Sequence, residues 1–124
     1  MRLLLDTHAL LRWLADDGLS DQARDAVADP ANLVMVSAVS AWEISIKKAL
    51  GKLAAPDDLE RQVDHGGFTP LSITIAHGIA AGELPRHHDD PFDRMLIAQA
   101  LAEELIIVTH DKRFTDYEVA TLPT

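Results

Sequence analysis

No cysteine occurs among the 124 residues, so a disulfide framework, a thiolate metal site and a thiol nucleophile are all excluded. Oxygen and imidazole remain as the only strong ligands. Long apolar runs are missing too, and none approaches the ~20 residues that cross a bilayer. The N-terminus has neither a basic n-region nor the small-residue cleavage site of a signal peptide, so the expectation is a soluble, cytoplasmic chain with no membrane contact. Basic residues are scarce. Eleven Lys and Arg against twenty Asp and Glu give a net charge of -9, which argues against a protein that grips nucleic acid by bulk electrostatics. A polyanionic substrate would have to be held by a local basic patch, by a metal ion, or by both. Internal repeats, low-complexity tracts and linkers are absent. The length fits one domain, residues 1–124, burying roughly two-thirds of its unfolded surface.

What is present is an alternation of strand and helix signals. Arg2-Leu3-Leu4-Leu5 is apolar at consecutive positions, which suits a strand buried on both faces in the middle of a parallel sheet. It stops at Asp6, after which Thr7 and His8 lead into an apolar helical run, Ala9 to Ala15, ended by Asp16, Asp17 and Gly18. Ser20 is placed to cap a second helix through Ala28, and Asp17, Asp21, Asp25 and Asp29 read as its solvated outer face. Leu33-Val34-Met35-Val36 repeats the two-sided strand pattern. Ser37 or Ser40 caps the helix after it, whose expected buried stripe is Val39, Trp42, Ile46, Leu50 and Leu53, with Glu43 at the stripe's edge. Asp57 and Glu60 form a capping-box pattern for a polar helix ending before Gly66 and Gly67.

Phe68 to Leu71 is a brief strand whose Pro70 fits a sheet edge, and Thr74 opens a helix through Gly82. Asp90 followed by Pro91 is a cap with proline at the first helical position. A helix is therefore expected from about Pro91 to Glu104, with Leu96, Ile97, Ala100 and Leu101 buried. Leu105 to Thr109 is a further apolar strand, followed by His110 and Asp111, and a short segment from Glu118 to Leu122 closes the chain. Such alternation predicts right-handed crossovers and a parallel sheet with helices on both faces.

The carboxylates with a reason to lie at the carboxyl edge of that sheet are Asp6 and Asp111 after strands, Glu43 in a helix after the second strand, and Asp90 and Asp93 at a helix start. Four or five carboxylates in one cleft repel one another unless a hard cation neutralises them, which points to Mg²⁺ or Mn²⁺. Hydrolysis of a phosphodiester is the chemistry such a site suits. Each acid also has a plainer reading, Asp6 and Asp111 as helix caps and Glu43 as a surface glutamate. The two aspartates of Asp90-Pro91-Phe92-Asp93 separate on position: Asp90 is placed to cap the helix, and Asp93 is free to turn to the cleft.

Four stretches together resemble the PIN domain, and more narrowly VapC-type toxins of bacterial toxin–antitoxin pairs. They are Leu-Leu-Leu-Asp-Thr-His-Ala-Leu-Leu-Arg-Trp-Leu at 3–14, Val-Ser-Ala-Val-Ser-Ala-Trp-Glu-Ile at 36–44, Asp-Pro-Phe-Asp-Arg-Met-Leu-Ile-Ala-Gln-Ala at 90–100 and Val-Thr-His-Asp at 108–111. The resemblance covers nearly the whole chain. It implies a three-layer α/β/α fold with a central parallel sheet of about five strands, a Mg²⁺- or Mn²⁺-dependent ribonuclease, a homodimer and a cognate VapB-type antitoxin. The family's acidic quartet falls on Asp6, Glu43, Asp93 and Asp111. Asp6 and Asp93 would be the principal metal ligands, Glu43 a ligand directly or through water, and Asp111 the holder of a second ion or of the attacking water. Ser37 and Thr109 would orient carboxylates, with simple capping the alternative for Ser37. The antitoxin would inhibit by placing an arginine among these acids.

Of the basic residues in segments flanking the cleft (Lys47, Lys48, Lys52, Arg86, Arg94, Lys112 and Arg113), the candidates for contact with RNA are Arg86, Arg94, Lys112 and Arg113. His8 and His110 each lie beside a proposed acidic ligand, but no histidine pair has zinc-motif spacing. His87 and His88 read as an ordinary wet loop or as a guide for RNA. Two rival classes fit the sequence less well. A phosphoacceptor receiver domain needs an acidic pair directly after its first strand, which Asp6-Thr7-His8 does not supply. A non-catalytic metal- or partner-binding α/β module would tolerate loss of the acids, and all four are here.

Overall fold

Leu3, Leu4 and Leu5 are each wholly buried, and they divide between two cores. Leu3 and Leu5 belong to one cluster and Leu4 to the other, as alternation along a strand with two covered faces requires. A buried leucine is worth about 1.5–3 kcal/mol, so this strand, β1 (Arg2–Leu5), fixes the centre of the fold. The computed structural model describes residues 1–124. Around β1 the sheet runs in the order β3-β2-β1-β4-β5, with β2 at Leu33–Ser37, β3 at Thr69–Leu71, β4 at Ile106–Thr109 and β5 at Thr121–Pro123. Every pairing is parallel. The expected five-stranded parallel sheet is what forms, and Pro70 lies on the edge strand β3, where its missing N–H costs little.

Six α-helices connect and cover the strands. They are α1 (Thr7–Ala15), α2 (Asp21–Ala28), α3 (Ala38–Ala49), α4 (Leu59–His65), α5 (Ile75–Glu83) and α6 (Pro91–Glu103). Ala9 and Leu10 of α1 and Ala23, Ala26 and Val27 of α2 pack with Leu3 and Leu5 on one face. Leu96, Ile97 and Ala100 of α6 pack with Leu4 and Ile107 on the other, where Phe114 and Tyr117 close the core. Helix α3 contributes Ile44 to the first core and Val39 to the second. No helix is long and apolar enough to cross a membrane.

The strand order makes one point of the sheet special. The chain steps outward from β1 to β2 to β3, then returns to lay β4 on the opposite side of β1. Connections leave β1 and β4 in opposite directions, and the crevice outside their carboxyl ends is where open α/β sheets bind ligands. Asp6 follows β1 directly and Asp111 lies two residues after β4.

The burial pattern corrects several expectations. Trp42 is 60% exposed and Leu50 63% exposed, so the inward stripe of α3 is Val39, Ser40, Glu43 and Ile44. Trp42 instead leans edge-on against Phe92, ring centroids 5.3 Å apart. On α6, Leu101 is exposed while Gln99 is completely buried. Asp57 and Glu60 form no capping box: the cap position of α4 is Asp58, whose carboxylate accepts from the Gln62 side chain and not from a backbone N–H of the first turn, and Asp57 pairs with Lys48. Thr74 does cap α5, and its box is closed by His77, whose Nδ1 accepts from the Thr74 N–H at 3.1 Å.

Candidate metal centre

The aspartates at the carboxyl edge are held by the way a helix or turn begins, and Glu43 by partners across from α3 and along it. Asp6 is the N-cap of α1, its Oδ1 accepting from the Ala9 N–H at 2.7 Å, and only 2% of the residue is exposed. Burial pushes its carboxyl above the ordinary aspartate range, while the neighbouring Thr109 hydroxyl, the Ala9 N–H and the charges of His8 and His110 draw it back. Thr109 also accepts from the Asp111 N–H at 3.0 Å, so one residue at the end of β4 ties together the turns that carry both aspartates.

Glu43 lies on the inward face of α3 and is 2% exposed. One oxygen accepts from the Thr7 hydroxyl at 2.7 Å, and the other meets the Lys47 ammonium at 2.5 Å. Thr7 in turn lies 3.1 Å from the Ser40 hydroxyl, which braces the start of α1 against α3.

At the start of α6 the two aspartates divide their work. Asp90 is the N-cap: its Oδ1 accepts from the N–H of Phe92 at 2.8 Å and of Asp93 at 3.2 Å, with Pro91 opening the helix. The Asp93 carboxylate is therefore not needed as the cap, and its Oδ2 lies 2.7 Å from Nε2 of His88. Its pKa is raised to about 6, first by burial and then by the charge of Asp90, against the pull of His88. Repulsion from Glu43 adds to the rise.

Asp111 sits opposite in character. Its carboxylate caps the 3₁₀ turn Lys112–Asp116 through the Arg113 N–H and takes the Arg113 guanidinium bidentately. Arg113 holds its pKa down at about 2. Two carboxylates with opposed pKa shifts thus face the same crevice, the pattern expected of functional groups.

The structure brings Asp93, Asp111 and His88 together: one donor atom from each lies within 4.8 Å of the others. Asp6 and Glu43 stand outside that group. His88 corrects the expectation of a wet loop. It is 4% exposed, its N–H donates to the Tyr117 hydroxyl at 3.0 Å, and its ring lies edge-on to Phe114. Tyr117 donates onward to the Pro85 carbonyl at 2.6 Å, pinning the loop before α6. The only sequence signal for this was position, a histidine two residues before the Asp90 cap. His8 and His110 are exposed and pack on each other edge-on at 5.9 Å.

Other expected site residues stand elsewhere. The Ser37 hydroxyl caps α3 and lies 2.6 Å from Gln99 Oε1, so it orients no carboxylate. Arg94 turns its guanidinium away from the crevice onto the carbonyls of Ala81, Leu84, Pro85 and His88. Arg86, Lys112 and Arg113 are exposed.

Five parallel strands with carboxylates gathered at their switch point define a doubly wound α/β protein with an acidic edge site. The chain belongs to the PIN domain family, whose profile matches residues 3–120. It is 40% identical over 68 residues to Ribonuclease VapC16 of Mycobacterium tuberculosis (strain ATCC 25618 / H37Rv), an alignment spanning 52% of this chain and 48% of that protein. The chain thus spans about half the length of the curated relative it matches. In solved structures, the fold is similar to that in DNA-bound VapBC from Salmonella typhimurium, with a TM-score of 0.70 and 18% identity over 99% of this chain and 98% of that one. It is also similar to that in VapBC2 from Rickettsia felis bound to a DNA fragment from their promoter, with a TM-score of 0.73 and 14% identity over the same shares. At these identities the likeness is one of fold.

Proposed function

We propose that this chain is a divalent-metal-dependent ribonuclease, the toxin of a toxin–antitoxin pair. The observation that carries this is the convergence of Asp93, Asp111 and His88 at the sheet's switch point, with buried Asp6 and Glu43 on the flanking helices. The donor set fits a hard or borderline ion: carboxylate oxygens suit Mg²⁺ or Mn²⁺, and one imidazole is better tolerated by Mn²⁺. Asp6, Glu43, Asp93 and Asp111 are the residues that would hold it, with His88 either joining them or orienting Asp93. Such an ion supplies Lewis-acid polarisation of a phosphoryl oxygen and a nucleophile at neutral pH.

The chain's own groups do the positioning. Thr109 and the Ala9 N–H fix Asp6, Thr7 fixes Glu43, and His88 fixes Asp93. Arg86, Lys112 and Arg113 are the exposed cations available to an RNA backbone. A VapB-type antitoxin and a second copy of the chain are the proposed partners, the antitoxin reaching the acids with an arginine, whose fork matches carboxylates.

The test is cleavage of labelled RNA with Mn²⁺, with Mg²⁺ and with EDTA, run beside thermal melts. Cleavage should require the ion, and saturation at a hundredfold excess over its dissociation constant should stabilise the fold by about 2.7 kcal/mol. Full activity in EDTA, or a melt indifferent to both ions with no cleavage, would overturn the assignment. Asp90→Ala serves as the control beside the site. Loss of the cap should cost about 0.5–2 kcal/mol in urea denaturation while substantial ion-dependent cleavage survives. An inactive but fully stable Asp90→Ala would make Asp90 a ligand instead.

A further inference from the structure

An i,i+4 pair of glutamate and lysine on a helix is ordinarily an exposed ornament worth a few tenths of a kcal/mol. Glu43 and Lys47 are not such a pair. The glutamate side chain is 3% exposed, and the lysine reaches inward to it with a third of its own side chain still open to solvent. Glu43 already accepts from Thr7, so the ammonium completes the polar shell of a buried carboxylate. One monovalent cation therefore occupies an oxygen of a buried carboxylate on the helix that flanks the acidic crevice, in the electrostatic position that a divalent ion would compete for.

We propose that Lys47 is the resident counter-ion of the acid cluster, which a divalent ion must displace from Glu43 before the site is fully loaded. The inference rests on the metal site proposed above and adds what sets its affinity. Lys47 is a positioning residue: it acts through Glu43 and need not touch substrate. With the ammonium in place, the carboxylates are partly neutralised and the metal-free protein tolerates them. Without it, the same acids repel one another and bind a hard cation more strongly.

Titration of the full chain with MnCl₂ by calorimetry, and melts of the same samples in EDTA, test this. Lys47→Met keeps the apolar stem and removes the charge, and Lys47→Gln also keeps a donor to Glu43. Both should bind Mn²⁺ on the order of tenfold more tightly than the wild type, and both should melt lower in EDTA. Lys47→Arg should restore the wild-type affinity. A purely structural ion pair predicts the lower melt with unchanged or weaker Mn²⁺ binding, and that result in either neutral variant would overturn the proposal while leaving the metal site intact. Absence of Mn²⁺ binding in the wild type and in both neutral variants would overturn the metal site and this inference together.

Discussion

In EDTA near neutral pH, Asp93→Asn should unfold at a higher denaturant concentration than the wild type, and with Mn²⁺ it should lose cleavage. The first half follows from the Asp93 environment. Burial and the charge of Asp90 raise its carboxyl from 3.8 to about 6, so the folded, metal-free protein prefers the protonated form. A group raised on folding contributes stability that is fully present below its unfolded pKa and lost as pH rises through the folded one. The wild type should therefore weaken relative to Asp93→Asn between about pH 4 and pH 6, by about 1–3 kcal/mol at about 1.4 kcal/mol per pH unit. The asparagine carbonyl can still accept from His88, so the variant loses charge without losing its partner. The second half follows from chemistry, because a neutral amide is a far poorer ligand than a carboxylate. Residues that merely orient ligands cost 10–100-fold when removed, so loss of this one should exceed about a hundredfold in cleavage. Urea denaturation across pH and an RNA cleavage assay on the same preparations check both. An Asn variant no more stable than the wild type at any pH, or one that still cleaves, would remove Asp93 from the proposed ion site.

The strands were legible because their signal is local. Leu3 to Leu5 and Ile106 to Val108 are apolar at successive positions, and only a two-sided strand buries such a run. The helix starts at Ser20, Thr74 and Asp90 were legible for the same reason, since a cap and its N–H lie within three residues, and of the two serines offered for α3 it is Ser37 that caps. Asp6 and Asp111 follow the plainer reading given to them, that of helix caps. Both are caps through Oδ1, and the second oxygen of Asp111 is taken by the Arg113 guanidinium.

What could not be read locally depended on distant partners. The inward face of α3 differs from the expected one because Trp42, the largest side chain of the helix, finds Phe92 on α6 while Glu43 finds Thr7 on α1. Neither contact leaves a trace in the helix's own period. His88 is buried by Tyr117 and Phe114, which arrive with the segment after β4. Asp57 was placed in a capping box by its spacing from Glu60, but Lys48 of α3 lies across from it and takes its carboxylate. Local pattern predicted elements and acids; tertiary contact decided which acids meet.

Arg94 is the residue for which the two levels disagree most, and its replacement should be the most costly to stability. As a cation one residue from Asp93 it suggests contact with RNA, yet its guanidinium is committed to the protein. Nη2 donates to the carbonyls of Ala81 at 2.8 Å and Leu84 at 2.9 Å, and Nη1 to those of Pro85 at 3.1 Å and His88 at 3.2 Å. The last carbonyls of α5 have no partners within the helix, and a cation there also meets the negative end of its dipole. The same side chain ties down the loop that presents His88, so α5, the loop and α6 are joined by one planar fork. Hydrogen bonds to a charged group are worth about 1.5–3 kcal/mol each at most, and some of these carbonyls can turn to water. Arg94→Ala should therefore cost about 2–4 kcal/mol in urea denaturation. Arg94→Lys should recover less than half of that, because one ammonium cannot span the carbonyls that the two ends of a planar guanidinium reach. If RNA contact were the role of Arg94, the lysine variant would instead keep its stability and lose affinity for RNA in a salt-dependent way. Denaturation midpoints and RNA titrations at two salt concentrations separate the two. A stable Arg94→Lys with weakened RNA binding would return Arg94 to the crevice, whereas an unstable one with unchanged binding per folded molecule would leave it as the clasp that sets His88 beside Asp93.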